Sequence, residues 1–174
     1  MLHACCAVCA GYPIELLQTK GFEPIVYFFN PNIHPQEEYD RRLNELIHYC
    51  EKKQIRLIIG ENKTEEWFSY VKGLENEPER GKRCQKCFEY RLTETAKKAV
   101  EYEIDTMTTT LFISPHKVRN DIIEQGKKAA EKYNIIFDET DFRKQNGFLK
   151  TMQIAKNENF YRQKYCGCIY AQNK

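Results

Sequence analysis

The sequence predicts an α/β protein, a single-domain three-layer α/β/α sandwich with a mostly parallel, Rossmann-like sheet. Two observations lead to this prediction. Short apolar runs alternate with longer segments of helical periodicity along the 174 residues, an order typical of a parallel sheet with helices on both faces. No internal repeat, low-complexity tract or Ser/Gly-rich linker marks a boundary. We therefore expect residues 1–174 to form one domain.

The first elements follow from short apolar runs and their stop signals. A very short apolar start at Leu2 predicts the first strand. The segment "GYPIELLQTKG" contains helix formers and ends on Gly21, a residue typical of helix C-termini. The run "EPIVYFFNP" then predicts a strand. A strand, a helix and a second strand are thus expected within the first 31 residues.

The next elements repeat this alternation. Pro35 is well placed to open a helix through "QEEYDRRLNELIHYCEKK", and the apolar run "IRLIIG" follows it. A further helix is predicted after "RCQKC", because Phe88 and Leu92 recur there at helical spacing.

The last elements are a strand, a helix and a strand. They are predicted at "DTMTTTLFISP", which is rich in Thr and β-branched residues, at "NDIIEQGKKAAEKY" and at "NIIFDE". Ligands of such sheets bind outside the carboxyl ends of the strands. Polar and sulfur-bearing residues that follow the predicted strands are therefore the first candidates for a site.

Composition narrows the class of function. A chain of this length buries a core without disulfides. We find neither a signal peptide nor a run of about 18 apolar residues, so we expect a cytoplasmic protein that does not enter a membrane. In a reducing compartment, clustered cysteines indicate metal or redox chemistry. The net charge of +2 neither indicates nor excludes a nucleic-acid partner.

Seven of the eight cysteines fall into three groups. The groups are Cys5, Cys6 and Cys9, then Cys84 and Cys87, then Cys166 and Cys168. Thiolates on short turns can converge on one centre, so three groups in one small domain favour metal binding over coincidence. Seven clustered cysteines indicate two metal sites. One has four cysteines, and the other has three cysteines and an open coordination position. The number of cysteines does not distinguish zinc from iron. Cys50 shares helical spacing with Leu46 and is predicted to pack in the core.

Six segments resemble, in order and spacing, the QueH-type epoxyqueuosine reductases. They are "LHACCAVC", "YFFNPNIHPQEEYDRR", "RCQKCFEYRLTETAKKA", "TTTLFISPHK", "DFRK" and "YRQKYCGCIYA". The resemblance covers nearly the whole chain, as a single catalytic domain. It implies that an epoxide on the modified base at the wobble position of tRNA is reduced to an alkene, which converts epoxyqueuosine to queuosine. It also implies a four-iron, four-sulfur (4Fe-4S) cluster beside a second mononuclear metal, expected to be iron, and no cobalamin.

On this resemblance the cysteines are divided between two centres. We assign Cys84, Cys87, Cys166 and Cys168 to the cluster, and Cys5, Cys6 and Cys9 to the second metal. Adjacent residues of a strand point to opposite faces, so Cys5 and Cys6 can share a metal only if the strand has already turned. Cys5 as a cluster ligand therefore remains an alternative.

The same chemistry requires a proton donor and contacts to RNA. The candidate proton donors are His3, His116, Asp141 and Tyr165, which the sequence does not rank. In the "NPNIHP" loop the resemblance favours Asn30, Asn32 and His34 as substrate contacts. The basic residues Lys117, Arg143, Lys144 and Arg162 are candidate phosphate contacts. The expected partners are a tRNA carrying epoxyqueuosine in its anticodon loop and an external electron donor of unknown identity.

Three other classes of protein compete with this interpretation. A zinc-stapled, non-catalytic RNA-binding module would use the same cysteines and basic residues. An ATP-dependent tRNA thiolation enzyme needs a Gly-rich phosphate loop where this chain has "CCAVC". A thioredoxin-like oxidoreductase needs only one reactive cysteine pair. The first of these is the main alternative.

Overall fold

The computed structural model describes residues 1–171 and contains five short strands. They are β1 (Leu2–His3), β2 (Val26–Phe28), β3 (Leu57–Ile59), β4 (Thr106–Thr109) and β5 (Ile136–Phe137). All neighbouring pairs are parallel, and the strand order is β3-β2-β1-β4-β5. The predicted parallel sheet is confirmed. The strand order reverses between β1 and β4, which is where sheets of this class bind ligands.

Six α-helices connect and flank these strands within the described residues. They are α1 (Ala7–Thr19), α2 (Gln36–Lys52), α3 (Thr64–Tyr70), α4 (Lys82–Glu101), α5 (Arg119–Lys132) and α6 (Gly147–Asn157). Helix α1 packs against α2 and α6, whereas α4 packs against α3 and α5. Because crossovers between parallel strands are right-handed, the two groups cover opposite faces of the sheet. This is the predicted three-layer arrangement.

Several predicted boundaries differ from the structure. We expected a helix after "RCQKC", but α4 begins at Lys82, so Cys84 and Cys87 lie in its first turns. The strand predicted through "TMTTTLFI" ends at Thr109, and a 3-10 turn over Thr110–Ile113 follows it. The side chain of Thr109 accepts a hydrogen bond from the Leu111 N–H at 3.2 Å, and this contact favours the turn over a longer strand.

Two helices, α3 and α6, were missed by the sequence analysis. Helix α3 has only seven residues, too few for a clear periodicity. Helix α6 follows Asn146, whose φ of 60° is left-handed, and it exposes the apolar side chain of Leu149. Tertiary packing against α1, rather than a local pattern, accounts for α6. No helix within residues 1–171 is long and apolar enough to cross a bilayer.

Cys50 packs in the core, as predicted. It is 1% exposed on α2, in the same buried cluster as Leu46, and burial raises the pKa of its thiol to about 12. Cys50→Ala is expected to leave metal content and activity unchanged and to lower the free energy of unfolding by about 1 kcal/mol, because a small buried group is lost. Metal analysis and denaturant unfolding check this. A loss of iron from the variant would contradict the core assignment.

Candidate metal centre and active site

Three cysteines lie at the carboxyl end of β1, where the chain turns into α1. The strand ends at His3, and the Sγ atom of Cys6 caps α1 by accepting a hydrogen bond from the Cys9 N–H at 3.4 Å. Cys5 and Cys6 therefore lie beyond the strand, and the alternation of side chains along a strand does not place them on opposite faces of the sheet. All three sulfurs lie within 4.8 Å of one another. Two metal–sulfur bonds of about 2.3 Å span nearly that distance, so this trio (Cys5, Cys6 and Cys9) could hold one metal ion.

The thiols of the trio have unequal proton affinities. Hydrogen bonds from the Cys6 and Cys9 thiols hold the pKa of Cys5 well below its usual range, and the Arg91 and Arg42 guanidinium groups add to this effect. The hydrogen bonds to Cys5 raise the pKa values of Cys6 and Cys9. Of the three thiols, Cys5 therefore loses its proton most readily. Binding of a cation would replace the remaining thiol protons.

The other four clustered cysteines line the same cavity as Cys5 and Cys9. They are Cys84, Cys87, Cys166 and Cys168, and the cavity has a volume of about 680 Å³. Among residues 1–171, no three of these four sulfurs lie as close together as those of the trio. A cluster of several irons holds its cysteines further apart than one ion does. The fold thus brings the three cysteine groups of the sequence to one cavity. The sulfurs of the trio lie closer together than those of the other four cysteines, which we call the quartet.

Backbone N–H groups and one lysine support negative charge on the quartet. The Arg80 N–H donates to the Cys84 Sγ at 3.3 Å, and the Cys168 N–H donates to the Cys166 Sγ at 3.5 Å. A hydrogen bond from Cys168, followed by the charge of Lys117, lowers the pKa of Cys166 to about 5. Burial raises the pKa of Cys84. Such N–H donors are typical of sites that hold thiolates.

Three buried arginines line the cavity: Arg42, Arg83 and Arg91. Arg42 pairs with Glu38 at 2.6 Å. Arg91 is 3% exposed and has no carboxylate partner in the described part of the chain; its Nη2 donates to the Asn30 Oδ1 at 2.6 Å. An isolated buried charge costs several kcal/mol. The charge of Arg91 lowers the pKa of the Cys5 thiol, so a thiolate at Cys5 would supply the opposite charge.

Within residues 1–171, more than half of the buried side-chain polar atoms that have no hydrogen-bond partner belong to residues around the cavity. Five such atoms belong to residues that line it. They are Asn32 Oδ1, Trp67 Nε1, Arg83 Nε, Arg91 Nε and Gln163 Oε1. Because buried polar groups are almost always hydrogen-bonded, the cavity is built to be filled by polar or charged groups. Together with the sulfur donors, this fits metal centres and a polar substrate.

Two of the predicted proton donors, Tyr165 and His116, line the cavity. The Tyr165 hydroxyl donates to the His34 carbonyl, and its ring lies 5.5 Å from the Arg42 guanidinium. His3 is fully buried, with its ring nitrogens 2.9 Å from Thr109 Oγ1 and 3.2 Å from the Phe29 carbonyl oxygen.

Burial lowers the pKa of His3 to about 3. A neutral, buried ring cannot supply a proton readily near neutral pH. The contacts of His3 therefore favour a structural role that ties β1 to its neighbouring strands. Its assignment as a proton donor stays a prediction.

Asp141 is not among the described residues that line the cavity; its carboxylate lies 3.2 Å from the Arg143 Nε and 4.0 Å from the Arg119 Nε. Burial raises the pKa of this carboxyl, but hydrogen bonds from Arg143 and the charges of Arg143 and Arg119 outweigh it and lower the pKa overall. These ion pairs favour a structural role for the carboxylate.

Asp141→Asn is expected to lower the free energy of unfolding by about 1 kcal/mol at pH 7, since the ion pairs are partly exposed. The pKa of the Asp141 carboxyl in the folded protein lies below its ordinary value of 3.8, so the stabilisation is complete above that ordinary value and is lost as the pH falls through the folded pKa. Denaturant unfolding of both proteins between pH 7 and pH 3 checks this. A loss of turnover at unchanged stability would instead support the predicted catalytic role.

The candidate substrate contacts divide into two sets. Asn32 and Lys117 line the cavity. Asn30 is buried beside it and donates to the Ala4 carbonyl at 2.9 Å, while the His34 Nδ1 lies 2.9 Å from the Asn32 carbonyl oxygen. The remaining three are not among the described lining residues; Lys144 and Arg162 are exposed, and Arg143 is partly exposed. Their role as phosphate contacts stays a prediction.

Sequence analysis missed two residues that the structure places beside the cysteines. Arg91 follows Cys87 by four positions and Cys84 by seven on α4, so helical spacing could have revealed it. Gln163 contacts Cys6 across the fold, and no local pattern signals that contact.

Comparison with known proteins decides the family. The family model described as "Epoxyqueuosine reductase QueH" matches residues 1–174. The chain belongs to the QueH family. This confirms the resemblance found in the sequence motifs.

Curated relatives of the QueH family agree over nearly the whole chain. The protein of Histophilus somni is 41% identical over 98% of this chain and 71% of the relative. The protein of Haemophilus influenzae is 41% identical over 98% of this chain and 70% of the relative. The protein of Acinetobacter baylyi is 40% identical over 98% of this chain and 79% of the relative. Each bears the name "Epoxyqueuosine reductase QueH". The zinc-stapled, non-catalytic RNA-binding module is not favoured.

Proposed function

We propose that this QueH family member is an epoxyqueuosine reductase that converts epoxyqueuosine to queuosine at the wobble position of tRNA. The observation that carries the proposal is one cavity, lined by the quartet and by Cys5 and Cys9 of the trio, in a chain that the QueH family model matches throughout. The reaction consumes two electrons and two protons and releases the epoxide oxygen as water. An external donor supplies the electrons, and residues 1–174 act as one catalytic domain.

The donor atoms fit two metal centres. We propose that the quartet of Cys84, Cys87, Cys166 and Cys168 holds a 4Fe-4S cluster and that the trio holds a mononuclear iron. The close spacing of the trio and its three ligands support a single ion with an open position. When bound, these groups would supply single-electron transfer and a Lewis acid for the epoxide oxygen.

The chain's own residues bind the substrate and control protons and charge. Asn32 and Trp67 present a buried acceptor and donor without partners, which suits the hydroxyl groups and ring edges of a modified nucleoside. Tyr165 lines the cavity with its hydroxyl held by the His34 carbonyl, and His116 lies on the same wall. We propose that one of these two residues donates the proton to the leaving oxygen.

The proposed substrate also requires contacts with RNA outside the cavity. Lys144→Glu and Arg162→Glu are expected to weaken tRNA binding and to reduce the slope of log affinity against log salt by about one each, since each lost phosphate contact releases one counterion fewer. Lys132→Glu is the matched control, because Lys132 is exposed and ends α5 before the amino end of β5, whereas ligands of such sheets bind at the carboxyl ends of the strands. Binding measured between 50 and 200 mM salt checks this. Unchanged slopes for both variants would place the RNA on another surface.

The proposed function is tested on the full chain purified without oxygen. We expect about four irons and acid-labile sulfide as a cluster, plus one further metal per chain. With a chemical reductant, the protein is expected to convert epoxyqueuosine in tRNA to queuosine. Mass spectrometry of the nucleosides measures this conversion. Protein that contains only zinc, without sulfide or turnover, would overturn the proposal. We further propose a cytoplasmic location, where clustered thiols stay reduced.

A further inference from the structure

Gln163 lies between α6 and the last cysteine pair and reaches back to the trio. Its Nε2 is 3.0 Å from the Cys6 Sγ and 4.0 Å from the Cys9 Sγ. Gln163 also lines the cavity that the cysteines share. A second polar side chain, Thr110, contacts another member of the trio, with its hydroxyl 3.9 Å from the Cys5 Sγ.

The other end of the same amide has no partner. The Gln163 Oε1 is buried and accepts no hydrogen bond from the described residues. Leaving a buried acceptor unpaired costs about 1–3 kcal/mol. One end of this side chain therefore contacts sulfur, while the other presents an unused acceptor within the cavity wall.

The chemistry of the trio decides which end of the amide faces it. Once the trio holds a cation, its sulfurs are thiolates, which accept hydrogen bonds and cannot donate them. The amide nitrogen is then the end that faces Cys6, and the oxygen is the end left for another group. Hydrogen bonds to metal-ligating groups orient them and reduce the charge that they pass to the metal.

We propose that Gln163 is a positioning residue for the metal ion of the trio, a role that rests on the metal site of the proposed function. Its N–H group donates to the Cys6 thiolate and fixes the orientation of that ligand. Its carboxamide oxygen accepts a hydrogen bond from a protic group, water or a substrate hydroxyl, that enters the cavity beside the trio. Gln163 thereby couples the metal ligand to the occupant of the cavity.

Cobalt(II) titration of the metal-free full chain tests this role, with Cys6→Ser titrated alongside so that the band from Co²⁺ bound by the quartet is subtracted. Thiolate ligation of Co²⁺ gives a sulfur-to-metal charge-transfer band, which reports both affinity and the charge on sulfur. Gln163→Leu is expected to weaken Co²⁺ binding by roughly 10- to 100-fold and to move the band to lower energy, because the sulfur loses its N–H donor. The matched control is Gln153→Leu, since Gln153 is exposed on α6 and its amide contacts only Asn157 among the described residues.

The outcomes separate this inference from the proposed function. If the wild-type chain gives no thiolate band with Co²⁺ beyond that of Cys6→Ser, the metal site of the trio is wrong. If the wild type and Gln163→Leu bind Co²⁺ with equal affinity and the same band, the role of Gln163 is overturned and the metal site stands. Should Gln163→Leu fail to fold by circular dichroism, Gln163→Ala takes its place and is judged by the same two readouts.

Discussion

Serine in place of Cys84 or Cys87 is expected to abolish the visible absorption of the iron–sulfur cluster and to reduce turnover below detection. Both residues lie in the first turns of α4 and line the cavity that Cys5 and Cys9 also line. A serine hydroxyl stays protonated near neutral pH and is a poor substitute for thiolate, so the cluster loses one of its four ligands. Iron and sulfide content, absorption and electron paramagnetic resonance measure the effect.

Cys50→Ala is the matched control for these variants, because it removes a buried sulfur that lies in the core. That variant should keep its iron and its turnover. A Cys84→Ser or Cys87→Ser protein that retains a complete cluster would show that the quartet does not form the cluster cage.

Serine in place of Cys6 or Cys9 is expected to have a different effect. The cluster should remain, while the second metal is lost and turnover falls about 10³-fold, since Lewis-acid stabilisation of the leaving oxygen is worth several kcal/mol. The prediction depends on the close spacing of the trio's sulfurs, which suits one ion rather than a cluster. Paired measurements of iron, sulfide and turnover on the same preparations check it.

Cys5→Ser decides the alternative left open by the sequence. If Cys5 belongs to the trio alone, this variant should behave like Cys6→Ser and keep the cluster. Loss of the cluster from Cys5→Ser, with the cluster kept in Cys6→Ser, would make Cys5 a cluster ligand. Loss of the cluster from Cys6→Ser and Cys9→Ser would contradict the assignment of the trio to a second metal. Full turnover in both variants would show that the trio has no catalytic role.

Local sequence patterns were sufficient for most of the fold. The alternation of apolar runs and helical periodicity predicted β2, α2 and α5, because each of these segments shows its periodicity within a short window. The start of α4 was misplaced, since polar first turns resemble a loop when seen without their packing. The two-residue strand β1 could be proposed only from its apolar start. Its position in the centre of the sheet depends on pairing with β2 and β4.

The sequence by itself determined the three cysteine groups, the core position of Cys50 and the motifs of the QueH family. These are properties of residue type and spacing along the chain. Only the tertiary structure decided that the quartet lines one cavity with Cys5 and Cys9, that His3 is buried, and that Asp141 is paired with arginines. It also placed the Gln163 side chain in contact with the Cys6 sulfur. The physical reason is that contacts between distant residues depend on how whole helices and strands pack, and no local pattern encodes that packing.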